Sequence, residues 1–194
     1  EIKNGSADIE DQLQAILDDR NALKQISDTS VKIVGDRAAL NIINGTFTPD
    51  DITLFKQSFP AFVFDKYAVT LVKPSLSSLE MLKKEGYSDK SIEFIFTNIL
   101  DEMLNDEFIS AVISTLEGFC CVVNLKDEDS GGDLISIMGN AKSALKKYFN
   151  IDAFVSVSGT KTKFEQISAL YRSAVELLHY AEFTQTAQIV VYSA

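Results

Sequence analysis

The stretch from Phe108 to Leu125 constrains this chain more than any other. Phe108 to Ser114 and Phe119 to Leu125 are two apolar, β-prone runs, and the few residues between them, including Gly118, have the character of a turn. Strands joined so closely pair antiparallel. Cys120 and Cys121 stand side by side in the second run and are the chain's two cysteines. Neighbours on a strand point to opposite faces, so a bond between them would be strained. They read as small apolar residues of a buried strand rather than as a redox pair. Neither a disulfide framework nor a Cys-based zinc site is available, which fits a reducing compartment.

Around this hairpin the sequence alternates between strand-like and helix-like patterns. Tyr67 to Lys73 is β-rich and ends at Pro74. Leu76 to Lys84 reads as a short helix closed by Gly86. Ser88 caps the next, whose apolar face carries Ile92, Ile95, Phe96, Ile99 and Met103. Lys126 to Asp133 reads as a polar loop, with Gly131 and Gly132 as a flexible approach and Asp133 as a helix cap. Leu134 to Phe149 is the clearest helix, with Leu134, Met138, Ala141, Leu145 and Tyr148 in steps of four and three. Ala153 to Ser158 is a strand. Phe164 to Ala181 is a helix that turns Ile167, Tyr171, Ala174, Leu178 and Ala181 inward, and Gln188 to Tyr192 is a last strand. From Tyr67 the order is β-α-α-β-β-α-β-α-β. Hairpins and crossover helices sharing one sheet predict an α+β fold with a ferredoxin-like core.

An N-terminal helical extension precedes that core. Residues 7 to 27 predict a helix in which Ile9, Leu13, Ile16 and Leu23 keep a heptad-like spacing interrupted by Arg20. So narrow a stripe suits a linker or coiled-coil-like helix, or one that docks on the domain. Residues 33 to 44 predict a second helix, with Ala38, Ala39, Ile42 and Ile43 on one side and Gly45 as its stop. Thr48-Pro49-Asp50-Asp51 opens a third, short helix ending near Ser58: a capping residue, a first-turn proline, then acids at the positive end of the helix dipole. The chain thus divides into a linker or coiled-coil-like helix (1–27), a helical extension packing on the core (28–58) and an α+β domain (59–194).

Charge narrows the partners. The 194 residues are 46% hydrophobic and carry a formal net charge of −10. Binding a phosphate backbone needs Lys and Arg to displace counterions, so no direct DNA binding by this segment is expected. No run approaches the roughly 20 apolar residues of a membrane span, and no signal-peptide pattern opens the chain. The expectation is a cytoplasmic domain. Glu1 in place of an initiating Met reads as the start of a fragment or processed product.

The element order is similar to the palm-like core of nucleotide cyclases and GGDEF domains. Val155-Ser156-Val157-Ser158-Gly159 resembles the strand that follows their long helix. Tyr171-Arg172-Ser173-Ala174-Val175-Glu176-Leu177-Leu178-His179-Tyr180 resembles the Tyr-x-x-Ala-x-x-Ala-Leu-x-Tyr helix of degenerate GGDEF-like domains, departing at Leu177, where Ala is commoner. Asn98-Ile99-Leu100-Asp101-Glu102 resembles the asparagine-and-acid pattern before the hairpin. Such degenerate domains sit in the middle of AraC-type bacterial transcription regulators, between a sensor and a helix-turn-helix DNA reader. The likeness spans roughly residues 30 to 194.

The resemblance implies a nucleotide-cyclase-like core without its catalysis. An active cyclase of this kind holds metal ions on acids at the end of the first strand and in the hairpin turn. Here the first strand ends Leu71-Val72-Lys73-Pro74-Ser75, without an acid. The turn reads Thr115-Leu116-Glu117-Gly118-Phe119 where the signature is Gly-Gly-Asp/Glu-Glu-Phe, so Glu117 has lost its partner acid and Gly118 stands in that place. Retained cyclase activity is not expected. No P-loop, Rossmann fingerprint or zinc motif is present. His179, the lone histidine, has no second His or Cys to ligate a metal with and reads as a half-buried or interface residue. Asp127-Glu128-Asp129 lacks calcium-loop spacing and reads as a solvated loop. No catalytic, cofactor-binding or metal-ligating residue is therefore assigned.

The resulting expectation is a non-catalytic signal-transmission and dimerisation domain. It would self-associate and belong to a DNA-binding full-length protein, with membrane anchoring left open. The alternative is a module that binds a nucleotide or small metabolite in the remnant pocket, beside Lys73 to Ser75 and the Thr115 to Phe119 turn.

Overall fold

A computed structural model describes residues 30–126 and 130–192. The helix expected at 7–27 and the acids at 127–129 lie outside the described residues. The chain folds as an α+β structure around a five-stranded mixed sheet. Its elements are α1 (30–44), then α2 (Pro49–Ser58), β1 (Lys66–Pro74), α3 (Leu76–Lys84), α4 (Asp89–Asn105), β2 (Ile109–Thr115), β3 (Gly118–Leu125), α5 (Ser130–Phe149), β4 (Ala153–Val157), a 3-10 turn (Phe164–Gln166), α6 (Ile167–Thr184) and β5 (Val190–Val191). The sheet order is β2-β3-β1-β4-β5. All neighbours are antiparallel except β4 and β5, which are parallel.

Alternation along the strands creates two cores. Ala68 and Val72 of β1, with Cys121 and Val123 of β3, face a cluster built from Leu82 of α3, Ile92, Ile95, Phe96, Leu100 and Leu104 of α4, and Leu134, Met138, Ala141 and Leu145 of α5. Val69, Leu71, Cys120, Val122, Ala111 and Ile113 face the other way, onto α1, α2 and α6. The sheet is thus covered on both sides, which is why its central strands read as continuous apolar runs. Phe96 stacks on Phe119 at 4.4 Å between ring centroids, pinning α4 to the hairpin. Phe55 of α2 gathers Phe59, Phe62 and Phe164 within 4.8 to 5.3 Å. Burying such a side chain contributes about 1.5–3 kcal/mol, so α2, short as it is, is held by its single buried anchor.

Several boundaries differ from the sequence reading. The loop expected at Lys126 to Asp133 ends early, because α5 already begins at Ser130. Gly131 and Gly132 are helical residues with no positive φ. Asp133 therefore sits within the first turn and does not cap it; there it complements the helix dipole. Tyr148, expected inward, is 67% exposed, because the stripe has rotated off the core by the last turn. The helix expected at 33–44 is already formed at 30. Pro74 belongs to β1, pairing with Ala153 at the strand's last position, where no further ladder donor is needed. The closing strand is only Val190–Val191.

Candidate functional site

The hairpin turn and the end of β1 meet through Gly118. Its φ is +128°, and a Cβ there would lie 2.6 Å from the Val72 carbonyl oxygen and 3.2 Å from Lys73 Cβ. No side chain fits that contact. The glycine standing in the place of a second signature acid is thus the residue that lets the turn close on β1. Thr115 braces the turn: its hydroxyl donates to the Gly118 carbonyl at 2.8 Å and accepts the Glu117 N–H at 3.2 Å.

Two ion pairs at this end of the sheet join α6 to β1 and to the turn. Lys73 Nζ lies 2.9 and 3.0 Å from the two carboxylate oxygens of Glu182, with both side chains 29% exposed. Glu117 Oε2 lies 3.0 Å from His179 Nε2. His179, read as a half-buried or interface histidine, is thus over half exposed and bound to the turn. Both contacts join residues far apart in sequence, so no local spacing reveals them. Glu117 and Glu182 are each held by a basic partner rather than aimed together at a common point. Among the described residues, no group of three or more His, Cys, Asp or Glu is placed to hold a metal ion.

A cleft of about 420 Å³ lies beside the turn, lined by Thr115 to Glu117, by Leu40 and Asn44 of α1 and by Tyr171, Arg172, Val175 and the exposed Glu176 of α6. Lys73 to Ser75 do not line it. The cleft therefore opens toward α1 and α6 and not along the end of β1. Burial pushes the Tyr171 phenol above its usual range, partly offset by its hydrogen bond with Thr115.

The asparagine-and-acid pattern on α4 does not join this site. Asn98 and Glu102 are exposed. Asp101 lines a separate cleft of about 270 Å³ with Asp36 of α1 and Ser110, at the start of β2 and away from the turn. Burial raises both Asp36 and Asp101 above the ordinary carboxylate range, with Lys32 opposing the rise in each. One Asp36 carboxylate oxygen and the Ser110 hydroxyl are buried there without a hydrogen-bond partner. The cysteines are free and fully buried. Burial lifts the Cys120 thiol well above its ordinary value and pushes Cys121 up to about 12.

No helix among the described residues is long and apolar enough to cross a membrane. No protein-family model matches the chain, and no characterised protein matches it in sequence.

Proposed function

We propose that this chain is a non-catalytic signal-transmission and dimerisation domain of a cytoplasmic bacterial regulator, with a degenerate, GGDEF-like nucleotide-cyclase core. One observation carries the reading. The end of β1 carries no acid, the second acid's place in the turn is a glycine packed against Val72, and Glu182 and Glu117 are paired with Lys73 and His179. A two-metal phosphoryl site needs several free oxygens converging on the ions; here Glu182 and Glu117 hold α6 to β1 and to the turn, which leaves Glu176 as the one carboxylate of the adjacent cleft with no ion pair among the described residues. The strand order β2-β3-β1-β4, antiparallel throughout, supports a ferredoxin-like core. Incubation with GTP or ATP and magnesium or manganese is expected to yield no cyclised product; turnover would overturn the reading.

Transmission needs an input and a movable element. The start of α1 supports one: Val31, Ile33 and Val34 are exposed apolar residues leading back to the heptad spacing of 7–27. In this reading the paired helices carry the signal to the face of the sheet where α1 and α6 pack. The fragment is then a weak dimer in sedimentation, and removing residues 1–27 weakens it. A strict monomer at high concentration, with and without that segment, would oppose the proposal. The full-length protein would carry a DNA reader.

A further inference from the structure

A second concavity, of about 570 Å³, opens at the other end of the sheet from the hairpin turn. The antiparallel pairing fixes that placement: the turn abuts Val72 and Lys73, whereas this cavity is lined by Ala68 near the start of β1 and by Val157 to Lys161 after β4. Its size lies in the range of small-molecule sites. Leu134 and Ile135 of α5 and Ala169 and Leu170 of α6, from the layers on the two faces of the sheet, supply apolar lining.

The polar features gather at its rim. Among the described residues, Lys161 is the one lining residue with a formal charge. It is exposed and makes no ion pair with any described residue. Gly131, in the first turn of α5, also lines the cavity, and a Cβ built there meets nothing within 4 Å. The space beside its backbone is therefore open among the described residues. The opposite side is shaped by Tyr192, whose ring lies so close to Gly159 that a Cβ at 159 would stand 3.0 Å from Tyr192 Cδ1. The Tyr192 N–H donates to the Val157 carbonyl at 3.0 Å, holding the backbone of this wall to β4.

We infer that this cavity binds a small amphipathic carboxylate, with its aromatic or branched apolar body between α5 and α6 and its carboxylate toward Lys161. The apolar walls select the body, and one cation with no ion pair and no lining acid among the described residues selects a single negative charge. The site is remote from the hairpin turn, so it stands apart from the relay reading.

The test uses the whole chain, isotope-labelled, titrated with phenylacetate and 3-phenylpropionate and, in parallel, with their neutral amides. The expected result is saturable amide shifts at Ser158 to Lys161 and around Ala169, with the acids binding about tenfold more tightly than the amides. Lys161→Gln removes that preference. Ala169→Phe fills the cavity from a half-buried position and abolishes the shifts while its spectrum stays dispersed. Absence of shifts at millimolar probe, shifts centred on Lys73 or Thr115, or amides binding as well as acids would each overturn the inference. None of these outcomes bears on the sedimentation or turnover results.

Discussion

At the scale of single residues, Gly118 and Asp36 show how chemistry is shaped by what surrounds it. The positive φ at Gly118 costs a side-chain-bearing residue about 1–3 kcal/mol before any contact with Val72 is counted. Gly118→Ala is therefore expected to destabilise the fold by at least that amount in urea unfolding, and Gly118→Glu, which recreates a signature acid, by more. Asp36 acts through protonation. Its folded-state value is raised, chiefly by burial, so the folded state holds its proton more tightly than the unfolded chain. The group is stability-neutral below the unfolded value of 3.8 and lowers stability as pH climbs from there through the raised value. Asp36→Asn should raise the melting temperature at pH 7, and the advantage should shrink as pH falls toward 3.8. An advantage independent of pH would contradict this cause.

At the scale of elements, the ends carry the information. Thr48 and Asp51 form a reciprocal capping box: the Thr48 hydroxyl accepts the Asp51 N–H at 3.3 Å, and Asp51 accepts the Thr48 N–H at 2.7 Å. Asn41 of α1 donates to the other Asp51 oxygen at 2.9 Å, so the cap also ties α1 to α2. These bonds, led by that from the Thr48 backbone, hold the Asp51 carboxyl below its usual range. Thr48→Ala should cost about 1 kcal/mol in thermal or chemical unfolding. This start was legible because its cap is local chemistry. The start of α5 was not. Two glycines read as a loop by propensity, yet the buried Leu134, Ile137 and Met138 hold the helix against the sheet, and that packing outweighs the penalty of about 1 kcal/mol per glycine.

At the scale of the whole molecule, the central strands are sealed between two helical layers. Cys120 and Cys121 report on that sealing from opposite faces. Neither thiol is accessible, and both are held protonated by burial. Labelling of the native protein by a thiol reagent at pH 8 is expected to be slow, and at high reagent to approach the global unfolding rate at both positions. Fast labelling of either alone would mean that one layer detaches independently.

Element types, their order, the opposed faces of the two cysteines and the apolar stripe of α6 could be read from the chain, because each follows from periodicity or from chemistry within a few residues. The buried Leu100 and Leu104 lie outside the apolar face expected for α4: the helix carries more apolar residues than one face needs, and only the seated helix selects among them. The pairing of Lys73 with Glu182 and of Glu117 with His179, the splitting of Asp101 from the turn, and the cavity between α5 and α6 were decided by the folded chain alone. Those partners are separated by tens of residues, and no periodicity links them. Their meeting depends on the sheet order and on how α6 lies across it, which are properties of packing rather than of any local segment.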